Sequence, residues 1–459
     1  MDDFTLGINF IHFGCWNNGL CSLNLDSDID SIDNGLTRTM KLLKNTTKKY
    51  NNITDVIIAG DNYYPRKSTS EIDGKKKKQK IYTDSYFKSG FQCLHDALNL
   101  SINNNINKYI LLGNHELDDV ISYINTHDLN NNSSPETNSN RYKKNKEQCY
   151  PLNQQLSIIQ KYNIENKANI HFFNNVMHFK PSNTNTLIIM IDSTLYEIDK
   201  SRNNNDGKIK YSDIQCYKLL DIGKITDIDI NNESSNDMIN NYLNMMIEKQ
   251  RLDVLNIIQD IEHKDKISNI IFACHHPIVS VRSKDREILQ EIINQLYCHP
   301  DILHLLTGKN IYHLCADTHL YQNGIINIPM NDDEKTTFSI NQFIVGTGGA
   351  ELDDIDTSIN SENNITFVNP INSINPIKYT IDIHDNKQMS THGFLLVNLN
   401  GDNVNCKFIN AGKLEGSGKK KDKKNKTKKQ NIASSSSGGG FKIITKQHGK
   451  NRTKRNKFL

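Results

Sequence analysis

Four short stretches combine acidic, amide, phenolic and imidazole side chains that together could bind metal ions. They are "GDNYY" at 60–64, "GNHE" at 113–116, "CHHP" at 274–277 and "ADTH" at 316–319. Carboxylate, amide oxygen, phenolate and imidazole are the donors that hard and borderline metal ions prefer, and paired ions of this kind catalyse hydrolysis. We therefore treat the four stretches as one candidate site for two metal ions.

Each of these stretches lies at the C-terminal end of a short apolar run that has the composition of a buried strand. The four runs are "DVIIAG" (55–60), "KYILLGN" (108–114), "SNIIFAC" (268–274) and "NIYHLCAD" (310–317). Further runs of this kind lie at 8–14, 185–193, 341–349 and 393–399. Any one polar strand end could be an ordinary turn, but four of them favour a shared site, because strand ends meet at one edge of a sheet.

Helical patterns separate the predicted strands. Apolar residues follow helical spacing at 31–50, at 238–261 and at 285–297, and in the second segment Leu252, Leu255 and Ile258 fall on one face. From about residue 322 the chain reads as strands and turns with little helix. The predicted fold class is α/β (α+β), a four-layer αββα sandwich of two mixed β-sheets flanked by helices.

The domain organisation follows from composition. The chain has 459 residues, 36% of them hydrophobic, which is enough for a large core. We assign residues 1–412 to one domain with polar surface insertions near 120–150, 201–236 and 351–378. Residues 413–459 carry 16 Lys and Arg against two acidic residues, whereas 1–412 carries 39 basic and 50 acidic ones. The tail is expected to be disordered, and it serves either for solubility and targeting or for binding an anionic partner such as nucleic acid or an acidic protein.

Cysteine usage and the N-terminus predict where the protein works. The nine cysteines are scattered and form no CxxC pair, so a disulfide framework is not expected and a reducing compartment is favoured. The chain shows no secretory signal and no apolar run of membrane-spanning length. We expect an intracellular, cytoplasmic protein that does not enter a membrane.

The order of the four stretches resembles a known family. "GDNYY", "GNHE", "HHP" and "ADTH" follow the motif order of the calcineurin-like metallophosphoesterases and are most similar to the purple, tartrate-resistant acid phosphatase branch. The resemblance covers roughly residues 6–400 and includes the helix "QRLDVLNIIQ". The Asn-, Ile- and Lys-rich composition and the basic tail resemble those of amoebal giant-virus proteins, for which the location would be the host cytoplasm or the virion.

The resemblance implies a ligand set for two metal ions, with iron, zinc or manganese as the expected metals. Asp61 would bridge the two ions. Tyr64 and His319 would bind the first ion, and Asn114 and His275 would bind the second. The implied fold is the αββα sandwich already expected from the strand and helix patterns.

The resemblance also implies an activity, the hydrolysis of phosphate esters by an activated metal-bound hydroxide. His115 would act as general acid or orient the phosphate, and His276 would contact the substrate. General acid catalysis of this kind typically contributes about 10²–10⁴-fold to the rate. The sequence leaves open whether the substrate is a phosphomonoester, a nucleotide or a phosphoprotein.

Two positions depart from the family pattern. Cys15, in "FGCWNNG", stands where the family has its first aspartate, and Asp317 stands where the final motif has its first histidine. One interpretation is a decayed site. The other is a site with replaced ligands, in which the Cys15 thiolate binds the first ion and Asp317 binds the second, since both side chains can coordinate metals.

Three functions therefore remain open from the sequence. The first is a binuclear-metal phosphoesterase. The second is a degenerate, catalytically weak or inactive scaffold protein of the same fold, whose basic tail mediates interactions. The third is a nucleic-acid enzyme of the same superfamily that the tail guides to its substrate, with salt-dependent binding.

Overall fold

All eight apolar runs form β-strands in the computed structural model of the chain. The run at 185–193, for example, gives the strand Thr186–Ile191, in which every residue is buried. Continuous apolar runs are expected where both faces of a strand are covered. The structure describes residues 3–18, 21, 35–64, 66–72, 75–81, 84–98, 106–117, 120–122, 145–147, 150–166, 169–172, 176–203, 216, 236–283, 285–330, 336–356, 365–371, 374–381 and 388–412.

The elements of the described residues are numbered in chain order. The strands are β1 (Ile8–Phe13), β2 (Ile53–Ile58), β3 (Arg66–Ile72), β4 (Lys75–Ile81), β5 (Asn107–Ile110), β6 (Val120–Ser122), β7 (Asn145–Glu147), β8 (Ile170–Phe172), β9 (Val176–Phe179), β10 (Thr186–Ile191), β11 (Asn269–Ala273), β12 (Val279–Arg282), β13 (Asp285–Ile288), β14 (Asn310–Cys315), β15 (Tyr321–Pro329), β16 (Thr337–Val345), β17 (Ile365–Phe367), β18 (Ile377–Ile381), β19 (Gln388–Met389), β20 (Gly393–Asn400) and β21 (Asn403–Asn410). The helices are α1 (Gly35–Lys49), α2 (Asp84–Leu98), α3 (Tyr150–Asn166), α4 (Thr194–Asn203), α5 (Asn236–Glu262), α6 (Gln290–Ile292), which continues as a π-helix (Ile293–Tyr297), and α7 (Pro300–Leu306), with 3₁₀ helices at Asp3–Thr5 and Asn114–Glu116.

Two mixed sheets contain most of the strands. The first has the order β21-β20-β1-β2-β5-β8, with β1, β2, β5 and β8 parallel and β20 and β21 antiparallel. The second has the order β17-β18-β15-β16-β14-β11-β10-β9, with β19 beside β15 and a parallel centre formed by β10, β11, β14 and β16. The pairs β3–β4, β6–β7 and β12–β13 form separate two-stranded ribbons. The fold class is therefore mixed α/β, as expected.

The two sheets touch where β1 and β14 end. His12 on β1 donates an Nε2 hydrogen bond to the carbonyl of Cys315 on β14 over 3.2 Å. Just beyond β1, the backbone N–H of Gly14 donates to the carbonyl of Val345 over 3.1 Å. A Cβ at Gly14 would lie 2.5 Å from the Cβ of Ala316, so this approach requires glycine. The polar residues that follow these strands are thereby brought together.

The prediction of a helix at 285–297 is wrong for the first residues of that segment. Residues Asp285–Ile288 form β13, which pairs antiparallel with β12, and helical structure begins only at Gln290. Three of the four β13 residues are exposed, and the ion pair between Arg282 and Asp285 closes the ribbon at 3.1 Å. Pairing with a neighbouring strand has overridden the local helical pattern.

The long helix α5 forms as predicted, but its buried face differs from the expected one. Leu252 is 41% exposed, whereas Gln250, Val254 and Ile258 are fully buried. These three lie at intervals of four residues and form one face. The sequence pattern assigned Leu252 to this face because it counted only apolar residues and passed over the polar Gln250.

The cysteines also depart from the expectation that no disulfide framework forms. Cys21 and Cys93 form a disulfide that links the chain after β1 to helix α2, and Cys216 is disulfide-bonded as well. The backbone of Cys21 is held by the Ser89 hydroxyl, which accepts from its N–H at 3.1 Å and donates to its carbonyl at 3.2 Å. This contact places Cys21 one helical turn from Cys93. A separation of 72 residues gives no such indication in the sequence.

Most of the predicted insertions and the whole basic tail, 413–459, lie outside the described residues. Within 120–150 the strands β6 and β7 pair with each other. Within 351–378, β17 pairs with β18 and extends the second sheet, so this segment is not only an insertion. No helix of the described residues is long and apolar enough to cross a membrane.

Candidate metal centre

Three of the predicted ligands lie in a backbone conformation that few residue types adopt. Cys15, Asp61 and Asp317 follow β1, β2 and β14 and have φ angles of 53°, 49° and 49°. They are three of the five non-glycine residues with positive φ among the described residues. Such conformations cost about 1–3 kcal/mol each and cluster at functional sites. The backbone thus bends at the ends of three separate strands, and the three bends bring their side chains to one site.

Gly60 makes the turn before Asp61 possible. Its φ is +75°, and a Cβ there would lie 2.6 Å from the backbone nitrogen of Gly113 and 2.6 Å from the carbonyl oxygen of Leu112. Glycine is therefore required both by the conformation and by the closeness of the chain that follows β5. This turn sets "GDNYY" directly against "GNHE".

One group of donors contains a thiol. Cys15, Asp61 and His319 bring a sulfur, a carboxylate oxygen and a ring nitrogen within 4.8 Å of one another. The Tyr64 hydroxyl donates to Asp61 Oδ2 over 2.8 Å and lies 2.9 Å from His319 Nε2. Cys15 Sγ lies 3.9 Å from the same Oδ2. We call Cys15, Asp61, Tyr64 and His319 the thiol cluster.

A second group of donors lies on the other side of Asp61. His275, His276 and Asp317 also have ligand atoms within 4.8 Å of one another. His275 Nε2 lies 3.4 Å from Asp61 Oδ1 and 3.7 Å from Asp317 Oδ1. The Nε2 atoms of His275 and His276 are buried without a hydrogen-bond partner in the described structure. We call His275, His276 and Asp317 the histidine cluster.

Asp61 joins the two clusters through its two oxygen atoms. Oδ2 contacts Tyr64 and Cys15 of the thiol cluster, whereas Oδ1 faces His275 of the histidine cluster. The backbone N–H of His115 also donates to Oδ1 over 3.1 Å. A carboxylate with one oxygen in each of two donor clusters has the geometry of a bridging ligand.

The hydrogen bonds of two histidines leave lone pairs inside the clusters. His319 Nδ1 lies 2.7 Å from the carbonyl of Glu351, and His275 Nδ1 lies 2.7 Å from the carbonyl of Ala59. A carbonyl can only accept, so each Nδ1 carries the proton and donates. In the neutral rings Nε2 then faces the cluster as an acceptor, and bonds from Nδ1 to a carbonyl orient metal-binding histidines in this way.

Glu116 fixes the two turns that carry the clusters. Its fully buried carboxylate accepts from the backbone N–H groups of Gly113 at 2.6 Å, Asp61 at 3.0 Å and Asn62 at 2.8 Å. Gln155 on α3 donates to it over 2.8 Å. One acidic side chain therefore holds "GDN" and "GNH" together without being a ligand itself.

The charges of the clusters depend on one another. Burial would raise the pKa of Asp61, but His275 and His115 hold it at about 2. Burial raises the pKa of Cys15 well above its usual value, and Asp61 and Asp317 raise it further. Burial and then Asp61 do the same for the phenol of Tyr64. A bound cation would offset this concentration of negative charge and favour the thiolate and phenolate forms.

The remaining predicted residues take different positions. His115 is about a quarter exposed, and its Nε2 lies 3.9 Å from Asp61 Oδ2. Asn114 begins the 3₁₀ helix with an exposed side chain. His276 is buried, and its Nδ1 lies 3.0 Å from the hydroxyl of Ser193.

Sequence reasoning missed the residues that support the ligands. Ser193 accepts from the backbone N–H of His276 over 2.8 Å. Ser193 follows β10, and the apolar run at 185–193 predicted a strand there but no functional residue at its end. Gln250 on α5 exchanges two hydrogen bonds with the backbone of Asp192, at 2.8 and 3.2 Å. A polar residue in the apolar face of a helix was the available signal for Gln250.

The donors of the two clusters are of the types that metal ions bind. Thiol, phenol, carboxylate and imidazole surround a shared carboxylate, and the Nε2 atoms of His275 and His276 are buried without a hydrogen-bond partner among the described residues. Such an arrangement is suited to a pair of cations. Models of known protein families give no match to this chain, and no curated protein matches its sequence.

Proposed function

We propose that the chain is a metal-dependent phosphoesterase with a binuclear centre. The observation that carries this proposal is the placement of Asp61, whose Oδ2 lies 2.8 Å from Tyr64 Oη and whose Oδ1 lies 3.4 Å from His275 Nε2. Two ions held on either side of one carboxylate form the arrangement used to hydrolyse phosphate esters. The order of the four motifs in the sequence supports the same conclusion.

In this proposal the thiol cluster holds the first ion, and Asp61, His275 and Asp317 hold the second. Asn114 begins the 3₁₀ helix beside them, and its amide oxygen would complete the second ligand set. When bound, the two ions would supply an activated water and neutralise the phosphate oxygens. The replacements at Cys15 and Asp317 preserve ligand atoms, which argues against the decayed-site interpretation.

The side chains around the clusters would orient the substrate. His115 is partly exposed and close to Asp61, so it can reach both solvent and the reacting phosphate as proton donor. His276 presents a buried Nε2 within the histidine cluster, next to the ligands assigned to the second ion. The finer fold assignment, four layers with the two sheets between helices, belongs to the same proposal, and the contact between β1 and β14 supports it.

The proposal is tested by measuring both the bound metal and the hydrolysis of a phosphate ester. The purified full chain, loaded with zinc, manganese or iron, should retain about two ions and hydrolyse p-nitrophenyl phosphate. Asp61→Asn should lose both ions and the activity, because one side chain serves both clusters. Asp55→Asn is the matched control, since Asp55 is a buried aspartate of β2, the strand that precedes Asp61, and accepts from Asn107 at 2.8 Å.

Two results would contradict the proposal. A wild-type chain that retains no metal would favour the scaffold alternative, in which the basic tail mediates interactions with an anionic partner. Unchanged metal content and activity in Asp61→Asn would show that the site assignment is wrong. Selective cleavage of nucleic acid, lost when 413–459 is removed, would instead favour the nucleic-acid enzyme.

A further inference from the structure

We propose that Arg38 and the first turn of α1 form a second binding site, separate from the two clusters, for a small oxyanion such as free inorganic phosphate. Arg38 lies in the first turn of α1 (Gly35–Lys49), and its side chain is 1% exposed. The inference does not depend on the proposed function, because it concerns a buried charge that the metal centre does not use.

Arg38 is a buried cation without a partner among the residues that the structure describes. Its Nε is buried without a hydrogen-bond partner, and no described carboxylate forms an ion pair with its guanidinium. By contrast, Arg251, Arg282 and Arg286 each pair with an aspartate, at 2.9, 3.1 and 3.0 Å. Taking a guanidinium out of water is unfavourable unless an opposite charge accompanies it. The burial of Arg38 therefore indicates a place for an anion.

The helix adds positive character at the same place. The backbone N–H groups at the start of a helix favour negative charge and disfavour a cation. The first turn of α1 nevertheless contains Arg38 and no acidic residue. Helical side chains lean towards the N-terminus, so the guanidinium stays near this end. One bound anion would offset the charge of Arg38 and the dipole of α1 together.

The ring of His392 lies against the same turn. A Cβ at Gly35 would clash with its Nε2, so the ring covers the first residue of α1. The Nδ1 of His392 donates to the carbonyl of Thr347 over 3.3 Å. Burial is the largest cause that lowers the pKa of His392, and the nearby charge of Arg38 lowers it further. The side chains of Arg38 and His392 thus lie close together, and neither brings a negative charge.

The way into this site is narrow, which limits the size of the anion. A Cβ at Gly412 would lie 3.4 Å from Nη2 of Arg38, so the guanidinium reaches the chain just after β21. Gly412 is exposed, whereas Arg38 is almost fully covered. Free phosphate fits such an opening better than a phosphate ester with a bulky group, and a guanidinium can bind two phosphate oxygens at once. The anion would link α1 to the end of the first sheet.

Thermal unfolding in inorganic phosphate provides the first measurement. The full chain is unfolded in phosphate and in chloride at equal ionic strength, which keeps charge screening constant. The melting temperature of the wild type should be about 2–4 °C higher in phosphate. Arg38→Met should lose this rise, and the matched control Arg251→Met should keep it. Since both variants retain the residues of the metal centre, the difference between them does not report phosphate bound there.

Two results of this measurement would overturn the inference. One is the absence of any rise in the wild type, and the other is an equal rise in the wild type and Arg38→Met. A chain that retains no metal contradicts the proposed function but should still respond to phosphate through Arg38, so the two failures can be told apart.

The melting temperatures in chloride test whether Arg38 lacks a partner within the chain. Arg38→Met replaces an unpaired buried charge by an apolar side chain of similar length and should melt at the same temperature as the wild type or higher. Arg251→Met should melt lower, because it removes the ion pair with Asp301. A clear fall for Arg38→Met in chloride, or its failure to fold, would show that an acidic residue of the chain already pairs with Arg38 and would overturn the inference. Arg38→Lys keeps the charge but not the planar fork, and should retain only part of the rise in phosphate.

Discussion

Glu116 is the residue on which the geometry of the candidate centre depends most directly. Its carboxylate accepts three backbone N–H groups, those of Gly113, Asp61 and Asn62. Burial first, and then the charge of Asp61, raise its pKa to about 7. The side chain thus links the two turns from a fully buried position.

Glu116→Gln should weaken both folding and metal binding. The amide keeps one acceptor oxygen but turns an NH₂ group towards backbone donors, which leaves at least one N–H unpaired. We expect a loss of about 1–3 kcal/mol in the free energy of unfolding and a 10–100-fold loss of metal affinity. Urea unfolding and metal titration measure the two effects. Gln155→Met, which removes a single donor to this carboxylate, is the control and should cost less in both; equal effects would contradict the assigned role.

Gly60→Ala tests the close approach of the turns. Gly60 and Gly308 both have positive φ, at +75° and +80°, but a Cβ at Gly308 would meet nothing within 4 Å. Gly308→Ala should therefore cost only about 1 kcal/mol for its backbone conformation. Gly60→Ala should cost clearly more and reduce metal content, because Asp61 must move. Equal melting temperatures for the two variants would show that the contact with Gly113 is not restrictive.

The ligand candidates could be predicted from sequence because each follows a short apolar run. Asp61, His275 and Asp317 were identified in this way, and the structure brings all three together. Ser193 and the role of Glu116 could not be found, since a single hydroxyl or carboxylate has no distinctive spacing. Most of their partners are backbone groups in the turns that follow other strands, which only the folded chain places within reach.

At the scale of elements, the segment after β1 is held against helix α2. The Cys21–Cys93 disulfide, the two hydrogen bonds to Ser89 and the contact of the Trp16 and Phe91 rings at 5.4 Å all join the two elements. Trp16 is adjacent to Cys15. The position of the predicted thiol ligand therefore depends on a helix that carries no ligand.

Loss of the disulfide should destabilise the fold and loosen this segment. Cys93→Ala, or reduction of the wild type, should lower the free energy of unfolding by about 2–4 kcal/mol. Denaturant unfolding with and without reductant measures the effect, and Cys93→Ala should respond less to reductant than the wild type. Identical curves for the wild type in both conditions would indicate that the link does not contribute.

The elements were predictable to different degrees for physical reasons. The apolar runs were found because strands buried on both faces leave a continuous pattern, as in β10 and β11. The ribbon β12–β13 was missed because its exposed residues carry no strand pattern and its stability comes from pairing. The face of α5 was misjudged because Gln250 is buried through hydrogen bonds and not through hydrophobicity.

At the scale of the whole molecule, buried histidines connect separate strands, His12 between the two sheets and His313 within the second sheet. His12 on β1 donates to Cys315 on β14, and His313 donates from Nε2 to the carbonyl of His276 over 3.0 Å. The hydroxyl of Tyr297 lies 2.7 Å from His313 Nδ1. Burial is the largest cause that lowers the pKa of both histidines from 6.5 to about 4.

These histidines should make the protein sensitive to acid. Because folding lowers their pKa, the unfolded chain binds the protons more tightly and protonation favours unfolding. Above pH 6.5 both histidines are neutral in the folded and in the unfolded chain, and the free energy of unfolding has its full value. As the pH falls towards about 4, that free energy decreases by on the order of 3 kcal/mol for each histidine. Unfolding of wild type and His313→Gln across this range measures the effect. The variant should show the smaller loss of stability, and equal slopes would contradict the assignment.

The strained turns at Cys15, Asp61 and Asp317 have a consequence for the lifetime of the protein in a cell. Three uncommon backbone conformations and several crowded acidic groups lower the stability of the chain before any ion is bound, and bound ions would restore it. Chains that fail to acquire metal would then unfold more often and be degraded sooner. With the proposed metal centre, abundance would follow the local supply of metal, and chains without metal would be removed by ordinary protein turnover without a dedicated regulator.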